Sequence, residues 1–296
     1  MSAHSDSKSR SIDPATWDRA MDFFARTWKI EPDSPHAAVS WARTATENYF
    51  SARVGSTTHL STISSELGAL VQATSQRDPR IIEVNTIVNG DFFPENAVRL
   101  IGSHAARTGN TIDYHIFNPE KNILFSKTIT PVNNPIQQRL HFFSEWKHEK
   151  NVHAHNDTPI ESQARAFASN GMFCHFGSKE RFSTYGAAVL ADGNWYSAGA
   201  YGCPDYVHGI NGIHAEAAAA VCAMMDGHPR IEAVGLISSK FKEAPVTMCG
   251  NCRQFFAEIQ QAHRNKIEVF SFALAHQQPL RLSIDELLPH AWNPGV

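Results

Sequence analysis

From residue 184 to 273 the apolar positions form runs of two kinds. Short stretches such as "GAAVLA", "NWYSAGA", "EAVGLIS" and "IEVFSFAL" are continuously or alternately apolar and read as strands. Between them lie "AEAAAAVCAMM" and "GNCRQFFAEIQQAH", with the length and spacing of helices. Strands alternating with helices predict a helix-packed sheet of the α/β class. The Ala-rich helix from Ala215 is apolar nearly all round, so it is expected at the centre of its domain, holding rigidly whatever stands at its N-terminal end. The polar segments punctuate this pattern. Residues 1–15 read as a disordered tail, and "NPEKN" and "WKHEKNVHAHNDTP" as loop or linker. The second of these is the expected boundary between a domain over 16–140 and another over 150–296.

The two halves share an order of elements. "SSELGALVQATSQRDPRIIEVNTIV" from Ser64 lies on "HAEAAAAVCAMMDGHPRIEAVGLIS" from His214 at an offset of 150 without a gap, bringing Glu66 onto Glu216 and Pro79-Arg80-Ile81 onto Pro229-Arg230-Ile231. Upstream, "YFSARVGS" matches "RFSTYGAA" around Gly186. Downstream, "FPENAVRLIGSHAA" matches "TMCGNCRQFFAEIQ" with four extra residues in the second copy. The chain thus reads as two copies of one unit.

Composition narrows the partner. The 296 residues are 42% apolar, enough for a substantial core in two domains of ordinary size. A formal charge of −3 supplies no basic field for gripping a phosphate backbone, which argues for a small-molecule partner. No apolar run approaches the roughly 18 residues of a membrane span, and the N-terminus lacks the hydrophobic stretch of a signal peptide, so a cytoplasmic protein is expected. Five cysteines, an odd number, argue for reduced thiols over a disulfide framework.

Four residues carry candidate chemistry. His214 and Glu216 fall in the first turn of the buried helix, and Cys249 and Cys252 fit the first turn of the next, so two helix N-termini can bring one imidazole and two sulfurs to a point. Three protein ligands with a fourth position open is the arrangement of a catalytic zinc (Zn2+), and the positive end of the helix dipole favours the thiolates. Such a zinc makes hydroxide available near neutral pH, and Glu216 is positioned as the proton shuttle. A redox Cys-x-x-Cys is an alternative that leaves the His-x-Glu unexplained. A structural zinc knuckle is another, but it needs a second cysteine pair, and Cys203 and Cys222 are too far apart to form one by spacing.

His214-Ala215-Glu216 followed by Cys249-Gly250-Asn251-Cys252 resembles the H-x-E…P-C-x-x-C signature of zinc deaminases. "CGNCRQFFAEI" and the terminal "SIDELLPHAW" are similar to the cytidine deaminase family, over about 160–296 and more faintly over 35–130. The chain resembles in particular the larger dimeric members, in which a zinc-binding copy is joined to one that has lost its metal, here with the zinc-binding copy second. The resemblance implies a three-layer α/β/α sandwich in two tandem copies, the first degenerate. It further implies a homodimer and a zinc-dependent hydrolase of nucleoside metabolism that cleaves the C–N bond of a cyclic amidine such as cytidine, deoxycytidine or a related aminopyrimidine. In the first copy Ser64 stands for His214, and Glu95 and Val98 for Cys249 and Cys252, so no zinc is expected there and Glu66 reads as a helix N-terminal carboxylate.

The sequence departs from the family where substrate is chosen. The N-x-E run that holds the ribose is absent from "SAGAYGCPDYVHGINGI", Ser183 replaces a stacking Phe, and Met248 replaces the Pro before the first cysteine. Candidate substrate contacts are Phe182, Ala215, Thr247, Asp205, Tyr206 and Asn211, with His208 in the same loop. Two other functions stay open. One is a repurposed deaminase fold with a different hydrolysis, addition or ligand-binding role. The other is editing of single-stranded nucleic acid, for which only "KFK" around Phe241 and Arg264 to Lys266 offer basic and aromatic groups.

Overall fold

The computed structural model describes residues 12–30, 38–54, 63–89, 94–131, 158–176, 184–202, 212–289 and 291. The first unit runs α1 (Pro14–Ile30), β1 (Ala38–Arg43), β2 (Asn48–Ala52), α2 (Ser65–Ser75), β3 (Glu83–Val88), α3 (Glu95–Thr108), β4 (Ile112–Phe117) and β5 (Ile123–Ile129). The second runs α4 (Ile160–Phe173), β6 (Tyr185–Ala191), β7 (Asn194–Gly199), β8 (Tyr201–Gly202), β9 (Gly212–Ile213), α5 (Ala215–Met225), β10 (Ile231–Ser238), α6 (Gly250–His263), β11 (Glu268–Ser271), β12 (Leu280–Ser283) and α7 (Ile284–Leu287). α1 opens at Pro14 behind Asp13, which accepts from the Thr16 N–H, so the polar segment expected as a tail over 1–15 gives way to helix there. The linker expected around residue 145 lies outside the described residues. None of the described helices is long and apolar enough to cross a membrane.

Each unit is an α/β sandwich with one strand order. The first sheet runs β2-β1-β3-β4-β5 and the second β7-β6-β10-β11-β12. In both, a parallel step, β3 to β4 or β10 to β11, interrupts antiparallel pairing, and a helix, α3 or α6, makes the crossover such a step requires. Alternate residues of the inner strands face opposite helix layers, giving three layers, while the edge strands β5 and β12 are largely exposed. In the second sheet Ala188, Leu190, Ala233 and Ile237 pack on Ala164 and Ala168 of α4, while Ala187, Val189, Val234 and Leu236 join the alanines of α5. In the first, Trp41, Phe50 and Ile87 pack on Trp17 and Phe24 of α1, leaving Ala42, Val84 and Val88 for α2 and α3.

Glycine sets how closely α4 approaches its sheet. A Cβ on Gly171 would lie 2.3 Å from the Ala198 oxygen, and one on Gly186 2.3 Å from the Ala168 oxygen and the Met172 nitrogen. A Cβ on Gly68 of α2 would run into the Ser51 side chain of β2, and would stand in ordinary contact, 3.6 Å, with Val221 Cγ1 of α5 in the second unit. The inner faces of both units merge into one continuous apolar core.

The offset of 150 is obeyed from α2 onto α5 and from β3 onto β10, and the left-handed residue after each helix, Arg77 (φ 57°) or Gly227 (φ 92°), also corresponds. Two other parts of the sequence alignment are corrected. Strand pairing places β1 opposite β3 as β6 is opposite β10, so the counterpart of Gly186 is Val39, and "YFSA" is β2, the counterpart of β7. Downstream, Pro94 caps α3 as Cys249 caps α6, both helices span 14 residues, and both end in a left-handed cap, at Gly109 and Arg264. The offset there is 155, so Pro94 and Ala97, rather than Glu95 and Val98, occupy the cysteine positions.

Candidate metal centre

His214 and Cys249 are the extended residues just before α5 and α6, with ψ of 156° and 166° and no side-chain capping bond of their own. At the same position in α2, Ser64 turns its hydroxyl inward to accept from the Leu67 N–H. His214 leaves that duty undone, and its ring reaches across to α6. Its Nδ1 lies 3.2 Å from Cys249 Sγ and 3.6 Å from Cys252 Sγ, and the three ligand atoms fall within 4.8 Å of one another. No other such group of three occurs among the described residues.

The sulfurs are held from behind. Arg253, next to Cys252, donates from Nε to the Met248 oxygen at 2.9 Å and from Nη1 to the Leu287 oxygen at 3.2 Å, tying the turn before Cys249 to α7. Met248 is buried, and Val246 N donates to the Phe272 oxygen across to the sheet. His214 follows Ile213 of β9, which pairs with Tyr201 of β8. Cys252 and Glu216 are buried, while His214 and Cys249 are partly open to solvent.

The groups perturb one another strongly. A hydrogen bond from Cys252 pulls the Cys249 thiol down to about 3 against the effect of burial, with His214 helping. The same bond, with burial, holds Cys252 far above the usual thiol range. Burial works against charge on His214, but the bond to Cys249 and the Glu216 carboxylate outweigh it and its pKa is raised. Burial raises Glu216, opposed by the charge of His214, its own backbone N–H and a bond with Cys252. Perturbation of this kind, concentrated on four neighbouring groups, is what functional sites show.

In the first unit Ser64, Pro94 and Ala97 provide no ligand set, and the space is filled. The carboxylate of Glu66 accepts from Thr86 Oγ1 and from the Tyr114 hydroxyl, each at 3.1 Å. Tyr114 is fully buried and stands where β11 has Val269. Glu66 is therefore more than a helix N-terminal carboxylate: it closes a buried network with Thr86, Ser40 and Ser65.

Of the other candidates, Ala215 is buried at the first position of α5 and Thr247 is exposed before the cysteines. Phe182, Asp205, Tyr206 and Asn211, with Ser183 and His208, lie outside the described residues. In the stretch lacking the N-x-E run, Ser197 donates its hydroxyl to the Phe167 oxygen, away from the cysteines. Arg253 reads in the sequence as a family marker, and its anchoring role was missed because both of its acceptors are backbone carbonyls, which leave no side-chain signal.

No protein-family model matches the chain, and no curated protein does. Among solved structures the chain is similar to cytidine deaminase from Burkholderia pseudomallei, at 20% identity and a TM-score of 0.39 over 46% of this chain and 100% of that one. It is similar to cytidine deaminase from Mycobacterium tuberculosis at 21% identity and a TM-score of 0.36, over 46% and 99%. For the enzyme from Mycobacterium leprae the values are 16% and 0.36, over 45% and 100%.

Proposed function

We propose that the second unit is a zinc-dependent hydrolytic deaminase acting on cytidine, deoxycytidine or a related aminopyrimidine. The observation that carries this reading is the convergence of His214, Cys249 and Cys252 from two helix starts, with the buried Glu216 carboxyl hydrogen-bonded at their edge. One imidazole and two thiolates on rigid elements fit a zinc site that leaves a position for water. A zinc ion held there supplies a Lewis-acidic centre that lets a water lose its proton near neutral pH.

Glu216 takes up that proton and passes protons to the ring nitrogen and the departing amine, so that water is consumed and ammonia leaves. Its burial favours the protonated carboxyl, which suits a group that must accept a proton and hold it. The first unit, with Tyr114 closing its Glu66, holds no zinc. The family resemblance further implies a homodimer, which light scattering tests. Metal analysis should find about one zinc per chain, and ammonia should be released from at least one aminopyrimidine. Full activity in a Glu216→Ala variant would sink the reading.

A second reading has one observation in its favour, the absence of the N-x-E run. A pocket built to hydrogen-bond a substrate rejects analogues that leave its groups unpaired by about 10⁴ to 10⁵, so changing that run changes the substrate and can change the reaction. A zinc-loaded protein inert toward every aminopyrimidine and aminopurine tested would favour a repurposed site.

A further inference from the structure

The two units meet through a polar contact that leads to the metal centre. His104 of α3 is fully buried with both ring nitrogens engaged: Nε2 lies 2.7 Å from the Pro79 oxygen and Nδ1 2.9 Å from the Tyr201 hydroxyl. A carbonyl only accepts, so Nε2 carries the hydrogen and Nδ1 accepts from the Tyr201 O–H. The imidazole also stacks on Phe176 at 4.8 Å and on Tyr201 at 6.0 Å, and Phe176 and Tyr201 stack on each other at 5.0 Å. Arg107, one turn further along α3, donates to the Phe176 oxygen at 3.2 Å. The backbone completes the path. Phe176 N donates to the Ala200 oxygen, Gly202 N donates to the Phe176 oxygen, and Tyr201 pairs with Ile213, whose next residue is His214.

The internal repeat shows what this contact adds. At the offset of 155 that relates α3 to α6, the counterpart of His104 is Ile259. At the offset of 147 that relates β2 to β7, the counterpart of Tyr201 is Val54, which bridges to Ile63 as Tyr201 does to Ile213. Those positions are apolar. Burying an imidazole and a phenol in place of two aliphatic side chains costs the desolvation of both, which the bonds to the Pro79 oxygen and between the two side chains offset. What a hydrogen bond supplies beyond apolar packing is direction.

We propose that His104 is a positioning residue for the metal centre: by holding the Tyr201 hydroxyl it sets where β8 and β9 lie, and hence where His214 stands. The zinc-less unit is then part of the site. This rests on the metal reading of His214, Cys249 and Cys252, and the experiment separates the two.

The full chain is titrated with cobalt(II), whose thiolate charge-transfer and d–d bands report coordination geometry, and with zinc in competition. His104→Phe keeps a stacked ring and removes both hydrogen bonds, and Tyr201→Phe removes the shared bond from the other side. Each should weaken metal binding about tenfold and shift the d–d bands, and the double variant should bind no more weakly than either single one. Met225→Ala is the control: it removes the Ala52 N to Met225 Sδ contact (3.2 Å) between the units at the far end of α5, and should lower stability with affinity and spectrum unchanged. A folded His104→Phe protein with wild-type cobalt affinity and spectrum overturns the proposal, as does a Met225→Ala protein weakened equally. If His104→Phe fails to fold, Tyr201→Phe decides by the same two readouts. A cobalt spectrum that is unchanged in a His214→Ala variant overturns the metal reading itself.

Discussion

Glu216 is two residues from His214 and hydrogen-bonded to Cys252, so its proton and those of the two cysteines belong to one cluster. Replacing it by Gln keeps the shape and the hydrogen-bonding reach but removes the ability to carry a proton. The kcat for ammonia release should fall by about 10² to 10⁴, with zinc content by metal analysis unchanged. Loss of zinc together with activity would instead make Glu216 a structural support of the ligands. The three groups that could hold a metal, His214, Cys249 and Cys252, are legible in the sequence because few side-chain types can ligate one and the helix starts fix the spacing of the cysteines. Their counterparts in the first copy are not: Glu95 and Val98 read as equivalents of the cysteines, whereas the helix cap is at Pro94, one residue earlier. Nothing in "FPENAV" marks the cap, because Pro94 makes no side-chain capping bond.

At the scale of elements, the site depends on how closely α4 packs and how firmly α6 is anchored. Gly186→Ala would drive a methyl into the Ala168 oxygen and the Met172 nitrogen, both backbone atoms that no side-chain rotation can move. Stability should fall by at least the 1–3 kcal/mol typical of overpacking, read as a lower urea midpoint. An unchanged midpoint would mean that α4 can slide on its sheet. Arg253→Met removes two hydrogen bonds from a charged donor, which are worth about 1.5–3 kcal/mol each at most. Because one of them holds Met248 beside Cys249, zinc affinity measured against a chelating dye should fall with stability. The strand-level alignment failed upstream for a general reason: "YFSARVGS" and "RFSTYGAA" match by composition, and a short apolar strand carries no mark of its partner. Pairing across the sheet is what identifies β1 with β6.

At the scale of the molecule, one core spans both units and His104 lies within it, facing Arg107 and Tyr201. Burial, reinforced by the charge of Arg107 and opposed by the bond to Pro79, lowers its pKa from 6.5 to about 4. The unfolded chain therefore takes up a proton below about pH 6.5, and the folded protein does so only near pH 4. Between these limits the unfolded state binds more protons, so stability rises with pH and is lost as pH falls. The gap between the two pKa values is worth about 3 kcal/mol. Urea unfolding at pH 7 and pH 4.5 should show His104→Phe losing less stability on acidification than the wild type. Equal losses would mean that His104 is not held neutral.

The amino-acid chain alone specifies the α/β alternation, the repeat from Ser64 onto His214 and the donor set of His214, Cys249 and Cys252. The alternation, and within the donor set the spacing of Cys249 and Cys252, rest on residues close in sequence, and the repeat on comparing two such stretches; that His214 meets cysteines 35 and 38 positions away is the work of the fold. The fold itself was needed for the shared core, the closure of Glu66 by Tyr114 and the reach of His104 to Tyr201. Those two residues are 97 positions apart, and His104 reads as one of sixteen scattered histidines until packing brings α3 against β8. A contact of that kind has no local pattern to announce it, because what creates it is the exclusion of water between surfaces that meet only once both units have folded.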